Sequence, residues 1–226
     1  MTSDEPQAAI LQVTGLRKAF RRGSEHVRAL HDVSFSLGVG EVVGLTGPSG
    51  SGKTTLLNVL CGWERSDAGT VVYRGRTIGS PADLPWKEVA IVPQDVALLE
   101  ELSIEQNVRL PVRLGDGLGA FLGDVAPLLD ELGLAHLASR LPGEASLGEQ
   151  QRAGLARAVV LRPALLLADE PTAHQDEGWT KVVMGLLRSL AASGTTCLVT
   201  THDPDAAEFL DRALVMRDGA LGDAAG

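Results

Sequence analysis

The stretch Gly47-Pro48-Ser49-Gly50-Ser51-Gly52-Lys53-Thr54 constrains this chain more than any other. It fits the pattern G-x-x-x-x-G-K-[ST], a loop that cradles phosphate groups in its backbone. The pattern has meaning only between a strand and a helix, and both flanks are legible. Glu41 to Thr46 reads as a buried strand, and Lys53 to Leu60 carries Leu56, Leu57, Val59 and Leu60 on a helical face. Small glycines let consecutive N–H groups turn inward on a polyphosphate, and the helix opening at Lys53 points its positive end at the same anion. Lys53 then reaches the β and γ phosphates, and the Thr54 hydroxyl ligates Mg²⁺. An accidental glycine-rich turn would not need these flanks.

With 226 residues the chain is most simply one domain, with room for an inserted subdomain. Twenty Lys and Arg against 29 Asp and Glu give a net charge of −9, which disfavours a broad nucleic-acid footprint. The local cluster Arg17, Lys18, Arg21 and Arg22 reads as a solvated loop. Two cysteines, Cys61 and Cys197, suit reduced buried thiols rather than a disulfide framework. The polar, acidic start from Met1 to Gln7 lacks a signal pattern, and no run of about 18 uncharged apolar residues occurs. A cytosolic protein that does not span a membrane by itself is expected.

Ile10 to Val13 and Val33 to Leu37 are predicted as short strands, with Phe20 between them. An aromatic there could stack on adenine, but spacing alone favours an ordinary core side chain. Strands are expected at Gly69 to Tyr73 and Val89 to Val92, separated by a turn-rich stretch from Gly75 to Pro85. Gln94 follows the second of these, where the C-terminal end of a strand faces the ligand crevice of an open α/β sheet. Ser103 is a predicted helix N-cap, with Gln106 at the capping-box position. Gly115 to Gly119 reads as a loop, and Phe121, Leu122, Val125, Leu128, Leu129 and Leu132 share one helical face. A second helix is expected from Gly148 to Val160, so residues 96–160 form a helical insertion between sheet strands.

The sheet resumes at Leu165-Leu166-Leu167-Ala168-Asp169-Glu170, an apolar run ending in two carboxylates. Beside a phosphate loop, an Asp at such a strand end holds Mg²⁺, and the next carboxylate orients or deprotonates the attacking water. Thr180 to Ala192 is a predicted amphipathic helix, and Thr195 to Thr201 a buried strand leading to His202, which is either a γ-phosphate sensor or a surface histidine. A last strand is expected at Ala213 to Met216, with no room after it for an appended domain.

In their order and spacing these motifs resemble the ATP-binding cassette of ABC transporters, from about Ile10 to Leu221. The residues that carry the resemblance are Gly47 to Thr55, Gln94, Ser146-Leu147-Gly148-Glu149-Gln150-Gln151-Arg152, Leu165 to Pro171, Asp176 and His202. Leu98 to Val108 and Ala168 to Thr172 are similar to the lipoprotein-releasing and macrolide-exporting type. The resemblance implies an α/β fold: a P-loop NTPase core with a mostly parallel sheet flanked by helices, an N-terminal antiparallel β subdomain and an inserted helical subdomain, all in one ATPase domain.

It further implies a dimer with two ATP molecules sandwiched head to tail, driving a separate membrane-spanning permease from the inner face of the cell membrane. Gly47, Pro48, Ser49, Gly50, Ser51, Gly52, Lys53, Thr54 and Thr55 would hold the phosphates, and Thr54, Gln94 and Asp169 the Mg²⁺. Glu170 would be the catalytic carboxylate, with Gln94 and His202 beside the γ phosphate. Ser146 and Gly148 would face the nucleotide of the other subunit, and Phe20 sits where the family places its adenine-stacking aromatic.

Two places depart from the pattern. Leu147 stands where the signature loop has its first glycine, and His174-Gln175-Asp176 replaces Asn-Leu-Asp. Glycine allows backbone conformations and close phosphate approach that a side chain obstructs, so a weakened half-site beside an intact Glu170 is expected. A regulatory module with little hydrolysis is the alternative. A soluble cassette of DNA repair or translation fits worse, because those carry two cassettes, coiled-coil insertions or basic surfaces.

Overall fold

The first strands of the chain are held by pairing more than by burial. In the computed structural model, which describes residues 9–23, 25–79, 83–84, 86–115 and 125–222, β1 (Ala9–Arg22) and β2 (Glu25–Gly38) form one long antiparallel hairpin. The apolar runs read from sequence are only the core-facing parts, with Leu11, Val13, Leu16, Leu30, Val33 and Leu37 buried. The remainder is polar and continues as strand because its backbone groups pair across the hairpin. Phe20 and the basic cluster therefore lie on β1, not in a loop. Lys18 is paired with Glu64 at 2.6 Å and donates to the Arg65 carbonyl at 2.7 Å.

The strand β3 (Val42–Thr46) leads through the phosphate loop into the helix α1 (Lys53–Leu60). The strand β4 (Ala68–Tyr73) then pairs with β1, and β5 (Arg76–Ile78) pairs with β4, giving an antiparallel sheet ordered β2-β1-β4-β5. Only a turn was expected at β5. Arg74 and Gly75 both have positive φ, at 46° and 76°, and that is the two-residue turn that closes a hairpin.

Among the described residues, β6 (Val89–Val92) is followed by the α-helices α2 (Ile104–Leu114), α3 (Ala126–Glu131) and α4 (Leu147–Val159). Ser103 caps α2 in the predicted capping box with Gln106. Asp116 to Gly119, Phe121, Leu122, Pro85 and the stretch from Met1 to Gln7 lie outside the described residues. The chain continues through β7 (Leu165–Asp169), α5 (Glu177–Ala192), β8 (Thr196–Thr200), the short α6 (Pro204–Ala207), β9 (Arg212–Arg217) and β10 (Ala220–Gly222). The second sheet is ordered β10-β9-β3-β8-β7-β6, parallel throughout except for its β10 edge.

Alternation along the parallel strands divides the interior in two. Val42, Leu166, Cys197 and Val199 face a core shared with α2, α3, α4 and α5. Val43, Leu165, Leu167 and Leu198 face a second core built with α1 and the antiparallel sheet. Strands buried on both faces read as continuous apolar runs, so their positions were legible. Both cysteines are free; burial pushes the Cys61 thiol up to about 11 and that of Cys197 up to about 12. Among the described residues no helix is long and apolar enough to cross a membrane.

The segment after β6 is fixed to α4 by close contact. A Cβ at Gly154 would overlap the Val96 side chain, and Arg157 donates to the carbonyls of Val96 at 2.6 Å and Ala97 at 3.2 Å. Gly154→Ala is expected to lower stability by about 1–3 kcal/mol in urea unfolding, the usual cost of overpacking, and Val96→Ala in the same chain to restore part of it. An unchanged unfolding midpoint for the single variant contradicts this packing.

Candidate functional site

The phosphate loop leaves α1 with bare donors. The helices α2, α4, α5 and α6 each have a side chain accepting from a first-turn N–H, whereas α1, like the short α3, has no such cap and no acidic residue in its first turn. Its cap position is Gly52, at φ 105°, where a Cβ would strike the Ala29 carbonyl. At Gly47, with φ 143°, a Cβ would strike the Met216 carbonyl. Both positions therefore require glycine. Gly50 also has positive φ, Ser49 is exposed, Thr55 is half-buried, and the Pro48 carbonyl accepts from the Ser51 N–H at 3.2 Å.

The buried hydroxyl of Ser51 has no hydrogen-bond partner. Buried polar groups are normally satisfied, so this orphan inside an uncapped, glycine-lined loop fits a ligand rich in acceptor oxygens. The Lys53 ammonium, largely buried, donates to the carbonyls of Gly47 at 2.8 Å and Pro48 at 3.1 Å. A polyphosphate set in this loop meets a cation, bare helix N–H groups and an unused hydroxyl.

A chain of hydrogen bonds runs from α1 across the ends of the parallel strands. The Thr54 hydroxyl donates to Asp169 Oδ2 at 2.7 Å, and the Thr200 hydroxyl donates to Asp169 Oδ1 at 2.6 Å. The same Thr200 oxygen accepts from the Glu170 N–H at 2.8 Å. Glu170 has left-handed backbone, at φ 50°, as the chain leaves β7, and the Gln151 amide donates to its carbonyl at 3.3 Å. Glu170 Oε1 lies 3.3 Å from Nδ1 of the exposed His202. Lys53, Thr54, Asp169, Glu170 and His202 thus gather at one end of the sheet.

Gln94 is exposed and lines a cleft of about 660 Å³ together with Thr54, Asp169, Leu147, Gln150 and His174. Ser146 and Gly148 belong to the start of α4. There the Ser146 hydroxyl donates to Glu149 Oε2 at 2.7 Å and accepts from the Glu149 N–H at 3.3 Å. The Ser146 hydroxyl, and then the Ser146 N–H that donates to the same oxygen at 2.8 Å, hold the Glu149 carboxyl below its usual range. Leu147 is 64% exposed and has ordinary helical backbone, which corrects the expectation that its side chain obstructs the local conformation. Phe20, at 37% exposure with the Lys18 ammonium 5.0 Å from its ring centroid, is not the core residue that its spacing suggested.

Thr200 and Gln151 were given no role from the sequence. For Thr200 the one signal was a polar residue closing an apolar strand, and its pairing with Asp169 comes from the folded sheet. Gln151 was named only within the stretch that carries the family resemblance.

A family model described as ABC transporter matches residues 30–173. The uncharacterized ABC transporter ATP-binding protein YknY of Bacillus subtilis is 34% identical over 218 residues, covering 94% of this chain and 95% of that protein. The lipoprotein-releasing system ATP-binding protein LolD of Shewanella denitrificans is 35% identical over 219 residues, with 94% of each covered. The dimeric structure of MJ0796, a bacterial ABC transporter cassette, superposes with a TM-score of 0.85 at 30% identity, covering 93% of this chain and 96% of that one. MJ0796 in a post-hydrolysis state bound to ADP and Pi gives a TM-score of 0.84.

Thr200→Val removes one hydroxyl at nearly constant volume and leaves a buried carboxylate oxygen and the Glu170 N–H without their partner. The expected cost is about 1–3 kcal/mol in chemical denaturation, accompanied by slower nucleotide hydrolysis. A variant equal to wild type in both measurements contradicts the shared role of this hydroxyl.

Proposed function

This chain belongs to the ABC transporter family, and we propose that its ATP hydrolysis powers a separate membrane-spanning partner. It is the ATP-binding, ATP-hydrolysing subunit of such a transporter. The observation that carries the residue assignment is the hydrogen-bond chain Thr54 to Asp169 to Thr200 to Glu170 beside an uncapped phosphate loop.

Residues Gly47 to Thr55 hold the phosphates through backbone N–H groups, with Lys53 against the β and γ positions. Glu170 orients the attacking water and accepts its proton, and His202, 3.3 Å from that carboxylate, contacts the γ phosphate. Mg²⁺ fits Thr54, Asp169 and Gln94. When bound, Mg²⁺ neutralises charge on the β and γ oxygens. Phe20, exposed on β1, is free to stack on adenine.

The working unit is a pair of cassettes, as in the dimeric MJ0796, with Ser146 and Gly148 of each facing the nucleotide of the other. The second cassette is a copy of this chain or a related one. The permease docks at the cleft near Gln94 and the helices between β6 and β7, which form a subdomain of the single ATPase domain. This holds the protein on the cytoplasmic face of the cell membrane. No nucleic acid takes part, in line with the net charge of −9.

Leu147 favours slow turnover, because its exposed side chain stands where a neighbouring phosphate must approach closely. The cost falls on that approach and not on its own backbone. Leu147→Gly is expected to raise the ATPase rate at saturating ATP by up to roughly tenfold, the equivalent of about 1.4 kcal/mol in the barrier. Equal rates contradict a weakened half-site. Purification of the tagged chain from detergent-solubilised membranes is expected to bring a polytopic membrane protein with it in a nucleotide-sensitive manner. Recovery of soluble partners alone contradicts the transporter assignment and favours a regulatory module.

A further inference from the structure

The loop between Glu170 and α5 does not lie free on the surface. Its side chain Gln175 turns inward, donating through Nε2 to the Gly148 carbonyl at 2.9 Å and accepting through Oε1 from Arg152 Nη1 at 2.6 Å. Its amide is committed within its own chain, because both ends of it meet partners on α4.

Arg152 is itself held by two further groups. Its Nε donates to the Leu132 carbonyl at 2.9 Å, its guanidinium stacks 3.9 Å from the Trp179 ring centroid, and only 5% of the residue is exposed. The Trp179 ring in turn fills the space that a Cβ of Gly133 would need, and the Trp179 N–H is held by Asp176 at 2.9 Å. Gln175 is thus anchored to a rigid group. At its other end the fit is equally close, since a Cβ on Gly148 would lie 2.8 Å from the His174 carbonyl.

Positions 148, 151 and 152 fall on one side of α4, at the three- and four-residue spacing of a helix face. From that face Gly148 meets Gln175, and Gln151 reaches the Glu170 carbonyl at 3.3 Å. The turn capped by Ser146 and the turn carrying Glu170 are therefore held to each other at two points. We propose that Gln175 is a positioning residue for ATP hydrolysis, tethering the Ser146 turn of α4 to the loop that follows Glu170. This rests on the reading above, in which Ser146 serves a neighbouring subunit's nucleotide and Glu170 its own.

The Gln175 side chain bonds to α4 and not to the phosphate loop of its own chain, so its loss should separate turnover from binding. Gln175→Met removes both ends of the tether at similar length and bulk. Expected are a fall in kcat of about tenfold or more, the scale of a small misplacement of catalytic groups, and a Kd for the fluorescent analogue MANT-ATP within about twofold of wild type. Gln175→Glu keeps an acceptor for Arg152 but cannot donate to the Gly148 carbonyl, and should be as slow as the methionine variant. Wild-type kcat in either variant overturns the tether. So does a loss of MANT-ATP binding in proportion to a lowered melting temperature, which would mark a purely structural role. If Gln175→Met fails to fold, Gln175→Asn, one methylene too short to reach both partners, should give the same selective loss of kcat; full turnover there overturns the proposal. Wild-type protein that does not hydrolyse ATP fails the reading beneath the tether, whereas an active wild type with an equally active Gln175→Met fails the tether alone.

Discussion

Asp169 is 3% exposed, and a carboxylate so deeply buried must be surrounded by donors. It has two, and they arrive from opposite directions. Thr54 comes from α1 and Thr200 from β8, so this one side chain locks the helix behind the phosphate loop to the neighbouring strands of the parallel sheet. The parallel register of β7 with β8, which sets Asp169 against Thr200, is what makes the arrangement available. Glu170 follows from it, because the same Thr200 hydroxyl receives its N–H while the chain turns into left-handed backbone. Such a conformation is costly for a residue other than glycine, by about 1–3 kcal/mol, and persists where its surroundings hold it.

A second constraint links this centre to the rest of the molecule. The helix α4 touches the loop after β6 through Arg157 and Gly154, the turn of Glu170 through Gln151, and the following loop through Gln175. One rigid element therefore connects the cleft near Gln94 with the Glu170 turn and with the Ser146 turn. On the proposed reading, a push by a membrane partner at the cleft and the closure of two cassettes act on the same helix.

The legible parts of the fold were those whose physics is local or repeats along the chain. Apolar runs marked β3, β7 and β8, the capping box marked α2, and the phosphate loop announced both of its flanks. The long N-terminal hairpin was cut short because its outer half is polar and is held by pairing, which leaves no hydrophobic pattern. The strand β5 hid in a turn, since three exposed residues carry no period. Phe20 read as core because an isolated aromatic in a sequence gives no indication of which side of a strand it occupies. Within the site, Asp169, Glu170 and the glycines were visible from motif and spacing. Thr200, Gln151 and Gln175 act through side-chain bonds between distant segments, and their roles depend on a register that only the folded sheet supplies. Of the two grounds for singling out Leu147, the structure removes the backbone one, because the residue has an ordinary helical backbone, and leaves the close phosphate approach as a proposal.

Glu170, set by Asp169 and Thr200 beside the phosphate loop, is proposed to perform the hydrolytic step. The direct measurement is phosphate release from ATP by wild type and Glu170→Gln, with nucleotide binding followed on the same samples. Binding is expected to persist and turnover to fall by at least about a hundredfold, the scale of a lost general base. Equal turnover by the two proteins would contradict that role.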